Sequence, residues 1–430
     1  MKKIISLIIV CTIIISGMFI YNKSDKKEVL EDGSGPIIAA VIDGKASTSF
    51  PTTDKYVATV ECTRNGVKQD VGAKAAWNGT KWVVSFNDIS AGNVRCNVNF
   101  REPNFADTIL AKNEVKTPIT TPGAAISTAD EALLASTEDD YGTSYYFRGA
   151  VTNNYVEFAN KCWRIVRTGG DGSVKLILHN DNTAGVANPC NSANNSTSAA
   201  FARYSGSTYT SAFNTYYWDN AYVGFKYGTN SASDYATTHA NTNKSTILNN
   251  LETWYKNNLT TYEKVIVDTV WCNDKTNVTD TTFNPHGYSN VNGLGYGSKS
   301  TYYGATHRLV STGGSAGGTG PSLKCNGKLS KISSKVGLIT ADELALAGYA
   351  NGLQNTTTYL QENATDTWWW SLSPDNFSGR YAYVRGAGGS NGYFSSGSVD
   401  ITRGIRPSIT LKPSTKVTGN GTSDKPYVVN

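Results

Sequence analysis

Residues with reactive side chains are few, and their spacing fits poorly with catalysis. Gly313-Gly314-Ser315-Ala316-Gly317 matches the Gly-x-Ser-x-Gly pattern of a serine nucleophile. That chemistry needs a strand before the serine and a helix after it, so that a strained turn exposes the hydroxyl. Gly318, Thr319, Gly320 and Pro321 follow instead, which cannot start a helix, so a flexible loop is expected. The same glycines lack the Gly-Lys-Ser/Thr end of a phosphate cradle. His179, His239, His286 and His307 show no metal-ligand spacing. Of the paired acids, Asp139-Asp140 lies near a turn and Asp342-Glu343 belongs to a helix cap, so neither needs an acid–base role.

Aromatic and polar residues near the C-terminus carry a stronger functional signal. In Arg380-Tyr381-Ala382-Tyr383-Val384-Arg385, a period of two puts Ala382 and Val384 on one strand face and Tyr381, Tyr383 and Arg385 on the other. With the small apolar face inward, two tyrosines and an arginine project outward. Asp375 and Asn376 precede this run, and Asn391 and Tyr393 follow Gly388-Gly389. Such side chains offer amphipathic contact area at low entropic cost. The expected ligand surface therefore spans 375–400, on Asp375, Asn376, Arg380, Tyr381, Tyr383, Arg385, Asn391 and Tyr393. Of Trp368, Trp369 and Trp370, at least one is expected in the core.

The elements that must position these residues make an α+β chain with short strands, few helices and long loops. The large domain is placed at 127–430. Thr128-Ala129-Asp130-Glu131 reads as a capping box opening a short helix that ends near Ser136, and Thr340-Ala341-Asp342-Glu343 repeats the motif. A third helix is expected from Ser245 to about Leu259, with Ile247, Leu248, Leu251, Trp254 and Tyr255 on one face. Cys162–Arg167 and Val174–Leu178 read as a hairpin across Gly169-Gly170-Asp171-Gly172. Residues 36–102 read as a small β-sandwich-like module, with Asn78-Gly79 as a hairpin turn. Residues 103–126, rich in Pro and Thr, read as a linker.

At the N-terminus, Lys2 and Lys3 precede an apolar run from Ile4 to Tyr21, followed by a charged tether within 1–35. The run is long for a cleaved signal core and nearly long enough to span a bilayer as a helix. An uncleaved, single-pass signal-anchor with its N-terminus inside is therefore favoured over a secreted chain. Cys62, Cys96, Cys162, Cys190, Cys272 and Cys325 lie beyond it, an even set that suits an oxidising compartment and three disulfides. Cys62 and Cys96 share the small module and are expected to pair. The other four allow more than one connectivity, with Cys162–Cys190 and Cys272–Cys325 the expected one. No Cys-x-x-Cys pair supports zinc or thiol exchange. Only 17% of residues are charged, against 25 Tyr and 41 Gly, a composition closer to an adhesive surface than to a cytosolic enzyme. The net charge of +5 forms no basic stripe, so no nucleic-acid partner is expected.

Several segments together resemble a known group. They are Cys162-Trp163-Arg164-Ile165-Val166-Arg167, Trp271-Cys272-Asn273-Asp274, Gly337-Leu338-Ile339-Thr340, Trp368-Trp369-Trp370-Ser371-Leu372-Ser373-Pro374 and Arg403-Gly404-Ile405-Arg406-Pro407. This resembles surface domains of Firmicutes and their phages, which end in a Trp-Ser-Pro element, a variable polar segment and a Gly-x-Arg-Pro strand. Their organisation is similar to the C-type-lectin-like fold of formylglycine-generating-enzyme relatives and of diversity-generating-retroelement variable proteins. The resemblance covers roughly 130–430 and implies ligand display on loops. The catalytic relatives use a reactive cysteine near the C-terminal core, whereas the last cysteine here is Cys325, so catalysis is not implied. Calcium-binding lectins use Glu-Pro-Asn and Trp-Asn-Asp elements. Glu102-Pro103-Asn104 lies outside the domain and Trp271-Cys272-Asn273-Asp274 carries an inserted cysteine, so no cofactor or metal is expected.

The expected function is a membrane-anchored extracytoplasmic adhesin that binds a cell-surface protein or glycan. The alternatives are a structural surface or virion-associated component and, ranked lower, an enzyme acting on surface substrates. The chain should remain membrane-associated through residues 4–21. Mass-spectrometric mapping of the N-terminus checks this, and a mature start just after Gly17 overturns the anchor.

Overall fold

A computed structural model describes residues 36–87, 94–124, 131–232, 234–276, 301–325, 328–378 and 381–429. The chain divides into two compact units, Met1–Pro103 and Asn104–Asn430. Among the described residues no helix is long and apolar enough to cross a membrane; the expected anchor at 4–21 lies outside them.

The first unit is all β. Strands β1 (Ile37–Ile42), β2 (Lys45–Ser47), β3 (Val57–Arg64), β4 (Val67–Gln69) and β7 (Val94–Arg101) form one sheet in the order β2-β1-β7-β3-β4. Strands β5 (Lys74–Trp77) and β6 (Trp82–Ser85) form a separate hairpin across Asn78-Gly79. Gly79 takes φ 99° there, a conformation that favours glycine. Alternation on β7 buries Val94, Cys96, Val98 and Phe100. Trp82 and Val84 of the hairpin pack against Val98 and Phe100, with the Trp82 ring 5.2 Å from Phe100. Cys62 and Cys96 are direct cross-strand partners and are disulfide-bonded, with Cα atoms 4.0 Å apart. In so small a core that bond contributes roughly 2–5 kcal/mol.

The second unit begins with helix α1 (Phe105–Lys112), which corrects the expectation of a linker over 103–126. Asn104 accepts from Asp107 N at 2.9 Å, and Asp107 accepts in return from Asn104 N at 2.8 Å, a complete capping box. Phe105, Ala106 and Ile109 then bury in this unit's main core. The Pro- and Thr-rich composition belongs to the stretch after the helix, and it masked this short apolar face.

A second correction falls on the first Thr-Ala-Asp-Glu motif. Residues 125–130 are outside the described residues, and the expected helix is replaced by strand β8 (Ala132–Asp139), paired antiparallel with β9 (Gly142–Gly149). Glu131 does not cap a helix. Its carboxylate accepts from Arg148 Nε at 2.8 Å and from Thr120 Oγ1 at 2.8 Å. Arg148 also donates to the carbonyls of Ala345 and Leu346, at 3.1 and 3.0 Å. Burial raises the Glu131 pKa, and the bonds from Arg148 and Thr120 more than offset it, holding the carboxyl below its usual value. Tertiary pairing here overrides a local helix signal.

Beyond these come β10 (Tyr155–Phe158), β11 (Lys161–Thr168) and β12 (Val174–Asn180), with the expected turn at Gly169–Gly172. Next are β13 (Thr210–Ala212), β14 (Lys226–Tyr227), α2 (Tyr235–Thr238), β15 (Asn243–Lys244) and α3 (Thr246–Asn258). Helix α3 is capped by Ser245, whose Oγ accepts from Leu248 N at 3.2 Å, and it buries the five residues that the periodicity picks out. The remainder is β16 (Thr269–Cys272), β17 (Thr301–Tyr302), α4 (Gly304–Leu309), β18 (Lys331–Ser334), α5 (Ala341–Ala347), β19 (Trp368–Ser378), β20 (Tyr381–Gly388), β21 (Tyr393–Ser398), β22 (Thr402–Gly404), β23 (Ser408–Leu411), β24 (Val417–Thr418) and β25 (Tyr427–Val429). One sheet runs β23-β12-β11-β10-β25-β24, with β9 on β11 and β8 on β9. The other runs β13-β22-β19-β20-β21, with β17 on β19. Both sheets and α3 contribute to one continuous apolar core, which includes Trp163, Trp254, Trp369 and Trp370.

Cys162–Cys190 and Cys272–Cys325 are also bonded, with Cα atoms 4.9 and 5.4 Å apart. Three disulfides place the chain in an oxidising, extracytoplasmic setting.

Arg148→Met should lower the unfolding free energy by roughly 3–5 kcal/mol, because Glu131 is left as a buried, unpaired charge. Glu131→Gln combined with Arg148→Met should recover part of that loss. Urea denaturation checks both, and an unchanged midpoint for the single variant removes the pair from the account of stability.

Candidate ligand-binding surface

The expected ligand residues lie on or beside the β19–β20–β21 meander, and the structure separates them into three groups. Strand β20 is central, hydrogen-bonded to β19 on one side and β21 on the other. Ala382 and Val384 face the core, as the alternation requires.

Arg385 corrects the reading of its own face. It is fully buried, as is Asp375, and Asn376 is nearly so. Arg385 Nη2 lies 2.6 Å from Asp375 Oδ1, and Arg385 Nη1 donates to Asn351 Oδ1 at 2.6 Å. Thr306 Oγ1, on α4, also donates to the Asp375 carboxylate. Helix α4 and the segment around Asn351 cover this part of the sheet, which strand periodicity cannot foresee. Asp375, Asn376 and Arg385 therefore stiffen the platform from inside. Arg380 lies outside the described residues.

Tyr381 and Tyr383 stand at one end of β20, half-buried, and enter an aromatic cluster. The Tyr381 ring is stacked on Tyr217, with centroids 4.8 Å apart and planes 10° apart, and lies 6.3 Å from Tyr383. Tyr216 packs 4.7 Å from Trp218, and Trp218 lies 5.9 Å from Tyr222. Tyr216 and Trp218 remain 49% and 47% exposed, so the cluster opens to solvent. Its two strands of sequence are tied together: Ala382 N donates to Tyr217 O at 2.8 Å. Asp219 holds the other side, accepting from Ala221 N at 2.8 Å and Ser231 N at 2.6 Å. Sequence reasoning missed Tyr216, Tyr217 and Trp218. Three consecutive aromatics before a capping Asp was the signal available.

Asn391 and Tyr393 sit at the opposite end of the same hairpin, where the Tyr393 ring lies 5.4 Å from Trp368. Trp368 is half-buried and Trp369 and Trp370 are core residues.

The densest set of ionisable groups lies elsewhere in the unit. Arg167 donates to Glu343 Oε1 and to Asp139 Oδ2, both at 2.9 Å. Lys175 Nζ donates to both Glu343 oxygens at 2.7 and 2.9 Å and lies 4.6 Å from the Trp271 ring centre. Arg308 bridges Asp342, at 2.6 and 2.8 Å, and Asp274. Burial raises the Glu343 pKa, but Lys175 and Arg167 bring it down to about 2, while burial takes Lys175 down to about 8. The cleft between these groups, walled partly by Cys272 and Cys325, holds about 40 Å³, room for a water molecule and no more. Each carboxylate is bound to a cation, so the cluster locks strands to α5.

His239 is held down to about 3 by burial and the nearby Lys275 charge, and its Nε2 lies 2.8 Å from Tyr303 Oη. Burial holds His179 well below its ordinary value, so both imidazoles stay neutral. Ser315 sits in the loop after α4, without the strand–turn–helix setting of a nucleophile. His286 lies outside the described residues. Asn273 Oδ1 accepts from Phe225 N at 3.2 Å, and Asp274 is engaged by Arg308. Among the described residues no group of three His, Cys, Asp or Glu is placed to hold a metal ion.

Burial predicts opposite outcomes for two neighbouring substitutions. Arg385→Ala should lower stability by roughly 3–5 kcal/mol, because it leaves the Asp375 carboxylate buried without its guanidinium. Tyr381→Ala, at a half-exposed position, should lower stability by about 1 kcal/mol or less. Thermal melts of both variants check this, and equal midpoints would mean that the burial contrast has no energetic weight.

No family model matches the chain, and no curated protein or solved structure matches it.

Proposed function

We propose that this chain is an extracytoplasmic surface protein that binds a ligand on another cell or particle through the aromatic platform of its large unit. The observation that carries the reading is the solvent-open cluster of Tyr216, Tyr217, Trp218, Tyr381 and Tyr383. It is built from two segments far apart in sequence and pinned by a backbone hydrogen bond. Tyr and Trp are the side chains that dominate binding hot spots, since they bury large area with few rotatable bonds. Exposed aromatic area of this kind contributes little to folding and marks an interaction site. The ligand is a cell-surface protein or glycan.

The resemblance of the Trp-Ser-Pro and Gly-x-Arg-Pro segments supports a C-type-lectin-like organisation for the large unit. The small disulfide-stapled unit then acts as a spacer, and residues 4–21 as the membrane anchor. The disulfides support the extracytoplasmic address.

Tyr381→Ala and Trp218→Ala should each reduce adhesion of the purified chain to its target cells by about tenfold, the scale of one lost hot spot. Their melting temperatures should stay close to that of the parent. Cell binding and a glycan array on the same preparations provide the measurement. Folded variants that adhere like the parent remove the platform from the binding site. Absence of any adhesion by the parent favours a structural surface component.

A further inference from the structure

At the end of the β20–β21 hairpin opposite the aromatic platform lies a groove of about 590 Å³. Its walls are Thr365–Trp368, Gly389–Asn391 and Thr402–Arg403. The frame is rigid. Arg403 is in β22, which pairs with β13, and its neighbour Gly404 bridges to Trp369 in β19. The Gly389–Asn391 turn is held by Gly389 N donating to Thr367 O at 3.2 Å and by Gln361 Nε2 donating to Gly389 O. Asn391 Oδ1 accepts from Tyr393 N at 3.2 Å.

Arg403 is the unusual member. Its guanidinium carbon lies 4.4 Å from the Trp368 ring centre and 5.0 Å from that of Trp370. It passes over Gly397, where a Cβ would collide with the guanidinium. Among the described residues its guanidinium makes no hydrogen bond and no ion pair, and Nη1 is buried without a partner. Every other arginine in the unit's interior has an oxygen: Arg148, Arg164, Arg385 and Arg406 each donate to at least one. Partial burial pulls Arg403 down to about 10, the direction expected of a cation with reduced hydration. A planar guanidinium set beside two indole rings, with no protein oxygen on it, is pre-organised for a two-pronged contact with a carboxylate.

A second charge narrows the choice of ligand. Asp366 also lines the groove, and its Oδ2 accepts from Tyr209 Oη at 2.5 Å. A polyanion such as a phosphate chain would meet repulsion there. A molecule with one carboxylate and several hydroxyls meets a cation for the first and acceptors for the second. Thr365, Thr367, Thr402 and Ser390 add further hydroxyls around the rim. A mainly polar groove with an indole wall suits such a ligand better than an apolar one.

We infer that this groove binds a carboxylated sugar, with the carboxylate on Arg403 and ring hydroxyls on Asp366 and Asn391. The site is distinct from the aromatic platform and stands or falls without it.

The test is isothermal titration of the purified full-length chain with glucuronate, N-acetylneuraminate, glucuronate methyl ester and acetate. Saturable binding of at least one of the two acidic sugars is expected, with the ester and acetate weaker by about tenfold or more. Arg403→Gln should abolish the preference for the acid over its ester. Should that variant fail to fold, Ser390→Glu decides. It lies on the exposed rim, should leave the melting temperature unchanged, and should weaken acidic-sugar binding by repulsion. Tyr381→Ala should leave all these titrations unchanged, which separates this site from the adhesion platform. Equal binding of acid and ester, equal binding of acetate, no saturable heat with either acidic sugar, or an unaffected Ser390→Glu variant each overturns the proposal.

Discussion

The large unit depends on finding an oxygen for each guanidinium that it buries. Arg148, Arg164, Arg385 and Arg406 are fully enclosed. A buried cation left unpaired is among the most destabilising features a fold can carry, so each must be met by a carboxylate or by carbonyls. Arg164 donates to Asn154 Oδ1 at 2.6 Å, Glu362 Oε2 at 2.7 Å and Val151 O at 2.6 Å. Arg406 reaches Leu178 O at 2.8 Å and Leu360 O. These contacts join residues far apart in the chain, and loop carbonyls serve as acceptors. A domain with few helices and long connections thereby satisfies backbone groups that no ladder pairs.

The same rule shapes the surface. Because Arg385 and Asp375 pair beneath the sheet, the middle of β20 is rigid and closed, and the two ends of the hairpin carry the exposed chemistry. One end holds stacked tyrosines and a tryptophan, the other a polar groove with an arginine on indole rings. The buried cluster around Glu343 also pins α5 to β11 through Arg167 and to β12 through Lys175. Ionisable residues packed this tightly serve architecture, and the two ends of the hairpin present mainly aromatic and polar groups, in keeping with a chain of low charge content.

Much of the local structure was legible in residue order. The strands of the small unit, the β11–β12 hairpin, the Ser245-capped helix and the Thr340 cap follow from alternation, turn glycines and capping oxygens. The Cys62–Cys96 pair was legible from its module; for the other four cysteines residue order left more than one connectivity, and the structure has the expected one. The two local misreadings have one cause. Thr128-Ala129-Asp130-Glu131 was judged by a local capping motif and the Thr- and Pro-rich stretch after 103 by composition, while Glu131 answers to Arg148 and Phe105 answers to the core.

For the site, periodicity alone determined that Ala382 and Val384 share one face and that Tyr381 and Tyr383 share the other. Whether that face is open at a given residue depends on what lies over it, and α4, Asn351 and the 216–222 segment arrive from elsewhere in the chain. Two-residue alternation is a property of one strand's backbone, so the sequence determined it by itself. Burial of Arg385, stacking of Tyr217 on Tyr381 and the placement of Arg403 beside two indoles are properties of neighbours. Only the tertiary structure decided them, because long-range packing sets which side of a strand meets water.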